Sequence, residues 1–357
     1  MAIDAKFFMH DSDRVALSVL KAIPGFSQLF RAFMKVWSER QFRIQNMSTN
    51  LRISENQLPK YYHMLLPICE KLGIAVPDLY LTLDVNPNAY TAGDNEPFIV
   101  VTSGLLETLP DELIPSVLAH ECGHIACHHC LYSTMGRIIL GKTADLLGLD
   151  GIKMLPIQAA FSYWMRCSEF SADRAAALCD GNSDKVVETM LRFSGFDKDV
   201  LGEVNVEEFM DQAVDYQQMI QDSLWDRTLE FLMLTNMDHP LNAVRARECY
   251  EWANTERFSA MRDYMNANDE AGLVGTYLKE VPVTGSAKHF VGDNVQEVEA
   301  KLRSMGFANI TLVKSNQKGI LTKIGDVTKI SIDGDCDFDK YTWHPVDAQI
   351  VIEYYDR

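Results

Sequence analysis

The chain has 357 residues, of which 47% are hydrophobic and 23% charged, and its formal net charge is −17. That length suits two domains, and that composition suits a core-forming chain and excludes a disordered one. The acidic balance argues against nucleic acid or an anionic bilayer as a partner of the whole chain, because phosphate binding needs clustered Lys and Arg.

The opening stretch MAIDAKFFMHDSDRV places acids where a secretory leader carries a basic region and lacks an apolar run, so the expected location is cytoplasmic. The cysteines are scattered without a framework spacing, which suits free thiols in a reducing compartment. Residues 1–55 read as an N-terminal helical segment. Between Lys21 and Arg43 the charge turns basic, while Phe26, Leu29, Phe30, Phe33, Met34 and Trp37 recur at helical spacing. Such a stripe either makes a peripheral membrane contact through residues 21–43 or packs on the protein's own core, its commoner use. SENQLPKYYHMLLPICEKLG then predicts a helix with Ser54 as N-cap and Gly73 as stop, and with Pro59 and Pro67 as kink points.

Two β-rich runs, DLYLTLD and PFIVVTS, flank the turn-prone VNPNAYTAGDNE and predict a hairpin-like edge. From Leu105 to about Asn268 the pattern is helical, broken at LCDGNSD, FSGFDKD and TNMDHP. The most apolar stretch, residues 138–165, is interrupted by Lys142, Asp145, Asp150 and Lys153, so no spanning segment is expected. Past Gly272 the texture changes. GDNVQEVEAKLRSMGF predicts a helix from near Asp293 to Gly306, and NITLVKS, VTKISID and AQIVIEYY predict strands, which together form a small α+β module at 280–357. Within it, Asp333, Asp335, Asp337 and Asp339 alternate as in a calcium loop, but Phe338 and His344 stand where that loop needs Gly and a bidentate Glu, so a solvated turn is expected.

The chemistry concentrates in LAHECGHIACHHC, residues 118–130. His120 and His124 are four apart, hence on one helix face, where two imidazoles can converge on a Zn²⁺. Glu121 between them can reach a metal-bound water without being a ligand. A third ligand comes from CSEFSADRAAAL: Glu169 completes a set of two histidines and one glutamate, and Asp173, one turn on, can accept the N–H of a ligand imidazole. Three protein ligands leave a position for water, the arrangement of catalytic zinc. Cys127, His128, His129 and Cys130 point in four directions on one helix and read as its continuation, with His128 supporting the active-site face; Cys122 reads as packing. His239, before Pro240 at a helix start, is either a cap or loop residue or a donor to a developing oxyanion.

The blocks NPNAYTAGDNEPFIVVTSGLLETLPDELIPSVLAHECGHI, SEFSADRAA and HPLNAVR, between about residues 70 and 250, resemble the gluzincin metallopeptidase family that includes the CAAX prenyl proteases and the HtpX heat-shock protease. The resemblance implies that His120, His124 and Glu169 bind one Zn²⁺ per chain, that Glu121 is the general base, and that Asp173 stands behind the ligands. It also implies His239 as oxyanion partner and substrate contacts at Asn88, Ala89, Tyr90 and Arg245, the first two of these on an edge strand that holds peptide backbone by β-augmentation. Well-known members carry spanning helices, which this sequence lacks. The tail resembles PASTA-like modules and reads as a protein-interaction appendage.

The expected fold class is α+β: a mainly helical zincin-like metallopeptidase domain with a small sheet over 56–275, then the PASTA-like α+β module. The expected function is a zinc metalloendopeptidase acting on peptide or protein substrates. The alternative is a non-catalytic or latent zinc scaffold that binds a protein partner through its C-terminal module. Gating of the cleft by the N-terminal helices is a form of latency that removal of residues 1–50 would relieve.

Overall fold

A computed structural model describes residues 1–140, 151–195, 203–222, 230, 233, 239–267, 280–315, 323–338, 342–346 and 348–356. The chain divides into two units, Met1–Met265 and Asn266–Arg357.

The first unit is mainly helical. It opens with α1 (Ala5–Phe8), α2 (Asp11–Ala22), α3 (Phe26–Val36) and α4 (Glu39–Thr49), followed by β1 (Leu51–Ile53) and α5 (Pro59–Leu72). The apolar stripe of α3 is spent on the protein's own core: Phe26, Leu29 and Phe33 are buried against Met135, Ile139, Phe161 and Trp164. Helix α5 starts at Pro59 and not at Ser54, which instead forms a short bridge with Gln57; Pro59 fits the first turn because its missing N–H would be unpaired there anyway. Gly73 ends the helix in the left-handed conformation expected of a stop glycine.

The sheet corrects the hairpin expectation. Strands β2 (Asp78–Thr82) and β4 (Phe98–Thr102) pair in parallel, and a further strand, β3 (Ala89–Ala92), lies inside the stretch read as a turn and pairs antiparallel with β4. The order is β1-β2-β4-β3, which leaves β3 on the edge. Every residue of β4 is buried, as a central strand packed on both faces requires.

Helices α6 (Ser103–Thr108), α7 (Ile114–Ala126), α8 (Cys130–Leu140), α9 (Gly151–Asp180), α10 (Asp184–Phe193), α11 (Val206–Asp222), α12 (Asn242–Ala253) and α13 (Glu256–Ala267) complete this part. The break between α9 and α10 falls at LCDGNSD as predicted, whereas those at FSGFDKD and TNMDHP lie largely outside the described residues. No helix among the described residues is long and apolar enough to cross a membrane, and residues 141–150 of the apolar stretch lie outside that description. Helix α7 is buried on nearly every face, and its Gly123 lies against α9: a Cβ there would come within 2.7 Å of Ala175 Cβ and 3.0 Å of Ala172 Cα. The expected continuation of α7 through residue 130 does not occur. His128 takes φ 57°, a left-handed turn that ends α7 and restarts the chain as α8.

The second unit holds β5 (Glu280–Pro282), α14 (Ala287–Phe290), α15 (Val295–Ser304), β6 (Ile310–Ser315), β7 (Val327–Ile332), β8 (Trp343–Pro345) and β9 (Ile350–Tyr355). Asn294 caps α15 by accepting from the Gln296 N–H. Strand β9 is central, parallel to β6 and antiparallel to β7, and Phe290, Leu302, Ile350 and Ile352 form a separate core with Val295, Val298 and Ile330.

Candidate metal centre

Helix α7 presents His120 and His124 one turn apart, and α9, held close by Gly123, presents Glu169 and Asp173 one turn apart to the same space. The Nε2 atoms of His120 and His124 face each other at 3.2 Å, and each lies 3.4 Å from one oxygen of Glu169. His239, just before α12, joins them: its Nδ1 is 2.7 Å from Glu169 Oε2. One donor atom from each of these four residues lies within 4.8 Å of the others, a cluster able to hold a metal ion.

Around this cluster the polar groups are ordered by charge. Asp173 Oδ1 is 2.9 Å from His120 Nδ1, and Arg245 grips Asp173 with two hydrogen bonds, Nε to Oδ2 at 2.8 Å and Nη2 to Oδ1 at 2.7 Å. Arg245 Nη1 also lies 3.1 Å from Glu169 Oε2. The arginine is 2% exposed: it borders the cleft, and its guanidinium is engaged by Asp173 and Glu169. Glu121 is buried with Oε1 3.9 Å from His239 Nε2, and its Oε2 has no hydrogen-bond partner.

Burial and these neighbours set the protonation of the site. Burial disfavours the charged form of His120, but the Asp173 and Glu169 carboxylates outweigh it and push its pKa up to about 9. Burial pulls His124 down to about 3 against the opposing Glu169, which leaves a neutral imidazole. Glu121 is raised by burial. Burial would raise Glu169 as well, yet the charges of His239 and Arg245 hold it well below the usual carboxylate range. Once the histidines are neutral, as metal ligands must be, three buried carboxylates face one guanidinium, a surplus of negative charge in low dielectric that a divalent cation would relieve. Imidazole nitrogens with a carboxylate are a zinc-type donor set, and the orphaned Glu121 oxygen is the atom that a water at such an ion would satisfy.

The edge strand borders the same space. Ala89 O accepts from His239 Nε2 at 3.0 Å, while the Asn88 carbonyl accepts from the Thr102 N–H at 3.0 Å and so points inward to β4. Tyr90 packs partly buried against Tyr80, Phe98 and Val100. A cleft of about 290 Å³ opens between Pro87–Ala89, His120, Glu121 and the α10 residues Val186, Met190 and Phe193. On the other side of Glu121 and His239 the space is only about 20 Å³, between Thr91, His124 and Arg137.

Two functional neighbours escape sequence reasoning. His128, expected to support the site, is exposed, and it is His129 that turns inward, its Nδ1 2.9 Å from His124 Nδ1. Asp13 on α2 closes the chain, its Oδ2 2.8 Å from His129 Nε2. The signal for Asp13 is a carboxylate falling on the buried stripe of α2 with Ala16 and Leu20, where an unpaired charge would be too costly.

Known proteins share this architecture in sequence. Residues 62–253 match the family described as Peptidase family M48. The chain is 30% identical over 262 residues to the plastoglobule-localized metallopeptidase 48, chloroplastic, of Arabidopsis thaliana, which covers 72% of this chain and 76% of that protein. It is 24% identical over 250 residues to a protease HtpX homolog of Burkholderia lata, covering 63% and 85% of the two chains. It is 26% identical over 179 residues to the protease HtpX of Legionella pneumophila strain Corby, covering 43% and 61%. No solved structure matches.

Proposed function

The chain belongs to peptidase family M48 and is a metalloprotease; from that premise we propose that it is a zinc endopeptidase in which His120, His124 and Glu169 hold one ion and Glu121 is the general base. The observation that carries this reading is the convergence of both Nε2 atoms and both Glu169 oxygens on one point beside the partnerless Glu121 oxygen. Zinc bound there would polarise the scissile carbonyl and acidify a water. In this reading a peptide adds as a further strand along β3, with backbone contacts at Ala89 and with Asn88 and Tyr90 on either side of it as the other contact residues. Glu121 takes the proton of the attacking water and returns it to the amine as the C–N bond breaks. His239 donates a hydrogen bond to the carbonyl oxygen as it gains charge. Asp173 fixes His120 with its Nδ1 protonated and Nε2 free, and Arg245 keeps Asp173 ionised and in place.

The test is Glu121→Gln. The variant should keep one zinc per chain while cleavage of an unstructured protein such as casein falls by at least about 10²-fold; an unimpaired variant would sink the mechanism. One observation favours the latent alternative: His239 stands inside the donor cluster, and a fourth protein ligand closes a zinc site to water. His239→Ala separates the two, since loss of an oxyanion donor lowers hydrolysis and loss of a blocking ligand raises it. In the same proposal the module at 280–357 is the appendage that engages a protein partner.

A further inference from the structure

At Nδ1, where His120 meets a carboxylate, His124 meets a second imidazole. Its Nδ1 meets the Nδ1 of His129 at 2.9 Å, and His129 Nε2 meets Asp13 Oδ2 at 2.8 Å. Asp13 is held by two further donors, Ser171 Oγ to Oδ2 at 2.6 Å and Trp164 Nε1 to Oδ1 at 2.9 Å. All of these side chains are buried, and the His129 ring stands edge-on to Trp164 with centroids 5.8 Å apart.

Between two facing ring nitrogens one must donate and the other accept. The Asp13 carboxylate can only accept, so His129 Nε2 carries a hydrogen, and in a neutral ring its Nδ1 is then an acceptor. His124 must therefore donate from Nδ1, which leaves its Nε2 lone pair directed at Glu169 and the ion site. Were His129 to donate from both nitrogens, the proton on His124 would sit on Nε2 and block ligation. We infer that Asp13 and His129 form a positioning relay that sets the tautomer and ring direction of His124, so that a carboxylate on the N-terminal helix α2 controls the metal centre through two imidazoles. The inference rests on the reading of His124 as a zinc ligand. The two motif histidines are thus oriented by different means: His120 directly by Asp173, and His124 at one remove by Asp13.

The experiment measures zinc affinity of the full chain by competition with a chromophoric chelator, and the absorption of the cobalt-substituted protein. Asp13→Asn keeps shape but can offer an N–H to His129 Nε2, which turns His129 Nδ1 into a donor facing another donor. Asp13→Asn and His129→Leu should each bind zinc roughly 10–100-fold more weakly, with a shifted cobalt band. His129→Asn, whose amide oxygen can replace the Nδ1 acceptor, should recover much of what His129→Leu loses. Leu20→Ala, on the same buried stripe of α2 but outside the relay, should lower the melting temperature and leave affinity within roughly two-fold, because it disturbs packing alone. If Asp13→Asn fails to fold, the contrast between His129→Asn and His129→Leu decides. Wild-type affinity in Asp13→Asn and His129→Leu, equal loss in His129→Asn and His129→Leu, or a Leu20→Ala as weak as Asp13→Asn would overturn the relay. Wild-type chain that takes up no zinc would instead overturn the ligand reading, and the relay with it.

Discussion

Asp13 is a charge held in the core, and that alone has a measurable cost and benefit. Burial would raise its pKa, but the His129 ring and the hydrogen bonds from His129, Ser171 and Trp164 hold it below the usual value. A group whose pKa is lowered by folding adds stability above its unfolded value, about 3.9, and that stability is lost as pH falls through the folded value. Asp13→Asn, which weakens the hydrogen bonds made to a charged carboxylate, should therefore destabilise the fold by roughly 2 kcal/mol near pH 7, and the gap to wild type in urea unfolding should narrow below about pH 4. A gap equal at pH 3 and pH 7 would show that the carboxylate is not a charged partner. At this scale the candidate residues on α7 and α9 are legible in the sequence, because helix spacing alone puts His120 with His124 and Glu169 with Asp173. The relay is not, because it closes between residues 116 positions apart. Sequence favours His128 over His129 for a physical reason: helical periodicity extends across a residue that the fold turns left-handed.

Between elements, the contact that matters most is that of α7 with α9 at Gly123. A valine there would place atoms inside van der Waals distance of Ala172 and Ala175, and backbone can yield only by moving the helix that carries both motif histidines. Gly123→Val should cost about 1–3 kcal/mol and lower zinc occupancy together, read by thermal unfolding and metal analysis; full zinc content at an unchanged melting temperature would contradict the role given to this contact. Strands β2 and β4 are legible from their β-branched and aromatic runs. Strand β3 is hidden to local pattern, since AYTA is short, rich in alanine and set among turn formers; only the family resemblance implies an edge strand there, and nothing local says that β2 and β4 lie parallel with β3 outside them. The start of α5 escapes for a similar reason: a serine before an apolar run signals a cap only if the chain turns helical there, and Ser54 is used in a bridge.

At the scale of the chain, Met1–Met265 contains the whole candidate centre, and Asn266–Arg357 has its own core. A chain ending at residue 265 should keep its zinc and its hydrolysis of casein within a few-fold, and loss of both would show that the first unit depends on the C-terminal module. The opposite truncation has the opposite expectation. Removal of residues 1–50 would take Asp13 away together with the core of α2 and α3, so it should lower zinc content and not uncover a latent activity. The change of texture near residue 272 lies outside the described residues, and the two units divide after Met265; the helix read at 293–306 and the three strands read after it match α15, β6, β7 and β9. That α2 reaches the candidate centre through Asp13 is not legible in the sequence, because an amphipathic stripe says that a helix has a buried face and leaves open what that face touches.

The chain of contacts that runs from α2 through two rings to the ion site also limits how this protein can be recombined with its relatives. A chimera that joins the N-terminal helices of one parent to the ligand helices of another would pair a carboxylate and an imidazole that had never been fitted to each other. Crossover points after Arg245 keep Asp13, His129 and Asp173 with their partners, whereas any crossover between residues 13 and 129 divides the support of a single histidine between two ancestries.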